Sequence, residues 1–233
     1  MHELHGFSVT GASLGLLAAA AGGGGAGRGG PELRYFGRSS IKIRTSEGFV
    51  IYVDPYAPGD YSEPADLILV THGHGDHNQV KLVARKPGTV VAAPEGAVSG
   101  KGVRVIVEGE HLAFGPVTVK ALPASNKNHQ RGETLGYLMG FDGIKVYHAG
   151  DTSWLPEMAA WASFGINYAL MPCDGFYNMG PEEASRCAQA IGAKCVIPIH
   201  SSKDGYYDAK NAQAVKGGKV VVLEPGGRVM LAP

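Results

Sequence analysis

Residues 66–77 read DLILVTHGHGDH. DLILV is a short apolar run bounded by polar residues, the pattern of a buried strand. Four candidate ligands follow it at once: His72, His74, Asp76 and His77. A chain leaving a strand end in an irregular turn can aim side chains at these spacings towards one point. Gly73 and Gly75 are expected to relieve backbone strain there and to allow close approach to an ion. Imidazole and carboxylate together suit zinc, iron or manganese. A lone HxH arises by chance, whereas HxHxDH directly after an apolar strand is a specific signal.

Three further candidate ligands sit at the ends of other strand-like runs. His129 follows VTVKALPA (117–124) and a polar SNKN; Asp151 closes IKVYHAGD (144–151); His200 closes CVIPIH (195–200). Alone, each has a bland interpretation: a loop histidine, a capping aspartate, a core histidine. Together with the first four they make a seven-ligand set on several strand ends, where α/β folds place their sites. His148 is either a support for the ligands or a packed strand residue. His111, in GEHLAFG, reads as a surface turn residue, and His2 and His5 lie outside the folded body.

From Pro31 onward, short strands and helices alternate. The β-branched runs LRYF (33–36), SIKIRT (40–45), FVIYVD (49–54), TVVAAP (89–94) and VRVIVE (103–108) read as strands. So do LGYLMGF (135–141), YALMPC (168–173), KVVVLE (219–224) and RVML (228–231). Helices are expected over 76–86, 156–164, 181–192 and 207–218. The third has the firmest signal, with Pro181 and two glutamates in its first turn and a glycine at its end. Strands early and βα alternation late predict sheets covered by helices, an α/β or mixed αββα arrangement.

Composition excludes several classes. The 233 residues carry 21 Lys and Arg against 21 Asp and Glu, so the chain is formally neutral. A neutral chain gives no electrostatic footprint for nucleic acid or an anionic membrane. Three cysteines without CxxC spacing exclude a disulfide framework and a zinc knuckle, and read as small buried hydrophobes. Residues 6–21, GFSVTGASLGLLAAAA, are apolar and uncharged, and a glycine tract follows at 22–30. The run is too short for a membrane span. It resembles a twin-arginine export signal without its arginine pair, so 1–30 is expected to be a signal-like or disordered segment before a body spanning 31–233. The expected localisation is left open between cytoplasmic and, if that segment acts as a degenerate signal, exported.

THGHGDH (71–77), His129, HAGDT (148–152) and IPIH (197–200) together resemble the metallo-β-lactamase superfamily. The similarity extends over about residues 33–231. LRYFGRSSIKIRTSEGFVIYVDPY (33–56) resembles the opening strands of its small metal-dependent hydrolases, with Asp54 at the position of the family's aspartate beneath the metal site. RGETLGYLM (131–139), MGPEEA (179–184) and VLEPGGRVML (222–231) are similar to the subgroup of L-ascorbate-6-phosphate lactonase-like proteins. The resemblance implies an αββα sandwich, two mixed β-sheets packed face to face with helices on the outer faces. It implies two divalent metal ions, zinc above all, with manganese or iron as alternatives. His72, His74 and His129 would bind one ion, Asp76, His77 and His200 the second, and Asp151 would bridge them. One departure stands out: the subgroup has Gly-His-Ser where this chain has Gly37-Arg38-Ser39.

The function so implied is hydrolysis of a small ester, lactone or related substrate by a metal-bridged hydroxide, with Asp76 and Asp151 as the catalytic carboxylates. The alternatives are a phosphodiesterase or nuclease of the same fold, a di-iron redox protein, and a non-catalytic metal-binding scaffold. A small-molecule substrate is expected as the partner, with no nucleic acid; a homo-oligomer is left open. Arg38, Lys127, Arg131, Tyr177, Lys203 and Tyr206 fall near the expected site. They read either as solvated loop residues or as groups that hold an anionic substrate.

Overall fold

The computed structural model describes residues 29–100 and 102–233. The apolar run and most of the glycine tract of the N-terminal segment lie outside the described residues. The first half of the body supplies β1 (Glu32–Gly37), β2 (Ser40–Arg44), β3 (Val50–Val53), β4 (Ala65–Leu69), β5 (Arg85–Ala93) and β6 (Val103–Val105) to one sheet. The second half supplies β7 (His111–Phe114), β8 (Val117–Pro123), β9 (Leu135–Phe141), β10 (Ile144–His148), β11 (Tyr168–Pro172), β12 (Cys195–Ile199) and β13 (Lys219–Val220) to another. The last strand, β14 (Arg228–Met230), returns to the first sheet beside β1.

Both sheets follow one plan. In the first, β14, β1, β2 and β3 are antiparallel neighbours, and β3 to β6 then run parallel. In the second, β7 to β10 are antiparallel, and β10 to β13 run parallel. Strand periodicity sorts the side chains. Leu33, Tyr35, Ile41, Ile43, Ile51, Val53, Leu67 and Leu69 from the first sheet meet Val119, Ala121, Tyr137, Met139, Leu170 and Ile197 from the second in the central core. The alternate residues Phe36, Tyr52, Ile68 and Val70 face the other way. Strands apolar on both faces must be covered on both, and the sandwich is therefore closed by outer layers.

The two outer layers differ. The second sheet is covered by α1 (Pro181–Ala190), α2 (Ala209–Ala214) and a 3-10 stretch at Pro156–Phe164. α1 buries Ala184, Cys187 and Ala188 beside Met158 and Trp161. The first sheet has no α-helix on it among the described residues; Tyr61, Val80, Val83 and Ala97 close it from loops. The helix expected over 76–86 is thus corrected to a single 3-10 turn, Val80–Leu82, followed by β5. Asn78 Nδ2 donates to the Gly73 carbonyl and Gln79 Nε2 to that of Gly75, so side chains occupy the backbone that a helix would need. The helix expected over 207–218 shortens to six residues, capped by Asp208, whose carboxylate accepts from Asn211 N–H. All three cysteines are free and buried as expected. No described helix is long and apolar enough to cross a membrane.

Candidate metal centre

The parallel halves of the two sheets deliver the site. Asp54 follows β3 and His72 to His77 follow β4. Asp151 follows β10, Asp174 follows β11 and His200 follows β12. These are the carboxyl ends of parallel strands, where chain leaves the sheet with its backbone groups released for a site. His129 comes from the loop between β8 and β9. Among the described residues, four that are not glycine have positive φ, and three of them, Arg38, Asp54 and His200, adjoin the site. Strained backbone of this kind persists where surrounding contacts over-determine it.

All seven sequence-derived candidates converge. Their ligand atoms fall into overlapping groups able to hold an ion: His72, His74 and His129; His72, His77 and Asp151; Asp76, His77 and His200. The Asp151 carboxylate lies at the centre. Its Oδ1 is 3.5 Å from Nε2 of His77, and its Oδ2 is 3.5 Å from Nε2 of both His129 and His200.

Hydrogen bonds behind the rings decide which nitrogen faces inward. The Thr71 hydroxyl donates to Asp54 Oδ2 at 2.7 Å, so it accepts from Nδ1–H of His72 at 3.0 Å. Asp54 also accepts from Nδ1–H of His77 at 2.8 Å. The side-chain carbonyl of Asn126 accepts from Nδ1–H of His129 at 2.8 Å. Asp174 Oδ2 lies 3.1 Å from Nδ1 of His200, a charge contact out of line for a hydrogen bond. Partners of this kind fix the tautomer and orientation of a metal-binding imidazole. Nε2 of His72 and of His129 is left bare, and both approach Nδ1 of His74, at 3.1 and 3.2 Å. At most one proton can sit between three such nitrogens, so lone pairs face one another across a space suited to a cation. Nε2 of His77 and Oδ1 of Asp151 are buried without a hydrogen-bond partner. Buried polar atoms are seldom left so, and a shared cation would satisfy both. The donor set fits a metal.

The electrostatics agree. Burial favours neutral Asp151, but the charges of His200 and His77 outweigh it and hold the carboxyl well below the usual range. Asp76 is also held low: burial opposes ionisation, and contact with His200 and the charge of His77 overcome it. For His200, burial disfavours the charged ring, yet Asp151, Asp174 and Asp76 push its pKa up to about 10. Burial and neighbouring His77 push His72 down to about 3. A web of carboxylates thus calls for positive charge at its centre, from protons or from metal ions.

The family model described as the beta-lactamase superfamily domain matches residues 32–200. The chain belongs to the metallo-β-lactamase superfamily. It is 31% identical to a UPF0173 metal-dependent hydrolase of Thermococcus kodakarensis, over 86% of this chain and 99% of that one. A UPF0173 metal-dependent hydrolase of Myxococcus xanthus is 33% identical over 93% of this chain and 89% of its own. A solved structure from Parabacteroides distasonis superposes with a TM-score of 0.71 at 30% identity, covering 82% of this chain and 92% of that one.

The remaining expectations divide. His148 is a packed support: its Nε2–H donates to the Ser39 carbonyl at 2.9 Å, and its Nδ1 accepts from Gly150 N–H. His111 is exposed on β7. Gly73 and Gly75 have no positive φ, so strain relief is not their role; Gly73 instead lets the backbone of Ala97 pass close by. Arg131 does not reach the site, because Glu108 and Glu157 hold its guanidinium outside. Tyr56 and Tyr206 pair their rings 5.7 Å apart, whereas Arg38 and Tyr177 do line the central cavity. Asp174, Asn126 and Thr71 were not foreseen. The turn pair Asp174-Gly175 directly after an apolar strand repeats the placement of Asp151 and was the available signal for the first of them.

Proposed function

We propose that this chain is a metal-dependent hydrolase that cleaves a small ester, lactone or related bond at two divalent metal ions, zinc above all. The observation that carries the reading is the facing set of bare imidazole nitrogens around Asp151, with Nε2 of His77 and Oδ1 of Asp151 buried and unpaired. Seven ligands exceed what one tetrahedral ion uses. His72, His74 and His129 would hold one ion, Asp76, His77 and His200 the other, and the central Asp151 carboxylate would span both. Bound metal supplies an acidified water and a Lewis acid for the substrate oxygen.

The chain's own residues do the rest. Asp76 is half-buried at the edge of the cavity and ionised, so a free carboxylate oxygen can accept a hydrogen bond from the attacking water and orient it. His77 is tethered from behind by its hydrogen bond to Asp54, and Asp174 stands 3.1 Å behind His200 as a countercharge, an arrangement that favours Nε2 atoms aimed at Asp151. The names of the curated relatives support hydrolysis, and the neutral chain supports a small substrate over nucleic acid.

The test is metal content and turnover together. Protein loaded with zinc or manganese is expected to hold two ions per chain by elemental analysis. It should hydrolyse at least one member of a panel of lactones, esters, thioesters and phosphodiesters. A single ion at saturation overturns the dinuclear reading, and two ions with no turnover on any member overturn the hydrolase.

A further inference from the structure

Beyond the candidate metal ligands, the charged groups that line this site's two spaces lie on opposite sides. On one side Arg38 enters a cavity of about 250 Å³ that Asp76, Asp151 and Tyr177 also line. On the other, a groove of about 410 Å³ runs past His74 and His129 between Glu95 and Glu133. Both glutamates are exposed and join no ion pair among the described residues. The two spaces share His74, Asn128 and His129, so a substrate lying over the ligands would meet a cation at one end and two free carboxylates at the other.

Arg38 is not a solvated loop residue. Its side chain is 11% exposed. Nη1 donates to the Ser202 carbonyl at 2.7 Å and Nη2 to that of Lys203 at 3.3 Å. Its backbone N–H donates to Tyr206, and its carbonyl accepts from His200 N–H and from the Tyr35 hydroxyl. The residue sits at φ +50°, a conformation a long side chain adopts only when held. Arg38 is fixed from behind in this way, lines the cavity, and keeps a buried Nε–H with no hydrogen-bond partner among the described residues. Oδ2 of Asp76 is 3.7 Å away, beyond hydrogen-bond reach. A buried guanidinium N–H left open beside a cavity is costly unless something else comes to meet it.

We infer that Arg38 is a specificity-determining residue that receives an anionic group of the substrate, a carboxylate or a phosphate, beside the bond to be cleaved. Glu95 and Glu133 bar a second anion from the opposite end. The substrate is then a small ester or lactone whose negative charge lies on one side of the scissile bond. This rests on the hydrolase reading, and the experiment separates the two.

Inorganic phosphate and acetate are titrated calorimetrically into the full, metal-loaded chain and its variants, with metal content measured on each sample. Turnover is followed on a matched neutral and carboxylated ester pair. Arg38→Gln should weaken binding of at least one anion more than tenfold at unchanged metal content. It should also erase the preference for the carboxylated ester. Arg38→Lys, which keeps the charge and loses Nε–H, should fall between. Glu95→Gln with Glu133→Gln should leave phosphate affinity within twofold and lower KM for an ester anionic at both ends. Anion affinities within twofold of wild type in Arg38→Gln overturn the inference. So does a loss of anion binding that only tracks lost metal, since Arg38 would then merely support Asp76. Should Arg38→Gln fail to fold, undiminished phosphate binding by Arg38→Lys overturns it equally. Arg38-dependent phosphate binding without turnover of either ester leaves the anion subsite standing and counts against the hydrolase.

Discussion

Asp151 concentrates the chemistry of the site in one carboxylate. Its two oxygens face histidines from three separate loops, and Asn178 Nδ2 donates to Oδ2 at 3.0 Å. Asp151→Ala is therefore expected to lower occupancy of both metal positions and to abolish hydrolysis, whereas His111→Ala on the exposed β7 should do neither. Elemental analysis and a turnover assay decide it; near-wild-type activity in Asp151→Ala would refute its central role. Asp174 acts one step further out. Its Oδ1 accepts from the backbone N–H groups of Phe176, Tyr177 and Asn178, while Oδ2 lies against His200. Asp174→Asn keeps an acceptor for that turn and removes the charge behind His200. Metal affinity should fall by about 10- to 100-fold with the fold retained. The candidate ligands were legible in the sequence because each is a metal-binding residue type that follows a strand-like run, directly or, for His129, a few residues into the next loop. Asn126 and Thr71 were not, because an amide or a hydroxyl in a loop carries no mark of the ring it orients. Arg131 shows the converse. Two residues from His129 in sequence, it is turned outward by Glu108 and Glu157, and neither partner is visible from spacing.

Strand periods gave the individual strands readily, since alternation of residues such as Ile41, Ile43, Ile51 and Val53 depends only on local pattern, whereas their division into two sheets came from the family resemblance. The stretch from 76 to 86 misled because its apolar spacing suits a helix, while Asn78 and Gln79 bind the backbone of the site loop instead. Between β10 and Asp151 the decisive element is a single turn. Gly150 has φ +63°, and a Cβ there would lie 2.6 Å from the Leu135 carbonyl and 3.2 Å from Thr71 Cβ. Neither the backbone angle nor the space admits a side chain. Gly150→Ala should destabilise the protein by at least about 2 kcal/mol and lower metal affinity, because the turn that aims Asp151 must shift. Gly75→Ala is the matched control. Its Cβ meets nothing within 4 Å and its φ is not positive, so its cost should stay within about 1 kcal/mol. Urea unfolding of both variants measures the difference, and equal midpoints would refute the argument.

Across the whole molecule, two sheets meet at one edge to gather histidines and carboxylates that repel or attract according to what charge lies between them. The sign of the resulting pH dependence follows group by group. Asp54, Asp76 and Asp151 are held below the usual carboxylate range. Their contribution to stability is present above about pH 4 and is lost as pH falls through their folded values. His77 and His200 are raised, His200 to about 10. Their contribution is present below about pH 6.5 and is lost as pH rises towards 10. Metal-free protein is therefore expected to be most stable at mildly acid pH and to lose stability steadily from about pH 6.5 to pH 9. Metal ions compete with the protons on His77 and His200, so their affinity rises as those protons leave. At fixed zinc concentration the ligand-linked stabilisation grows with that affinity. Tm measured with and without zinc should differ more at pH 8 than at pH 6, and a chelator should erase the difference at both. A zinc-induced increment that stayed constant or shrank with pH would mean that the ions do not displace protons from these two histidines, and the assignment of His77 and His200 as ligands would fall.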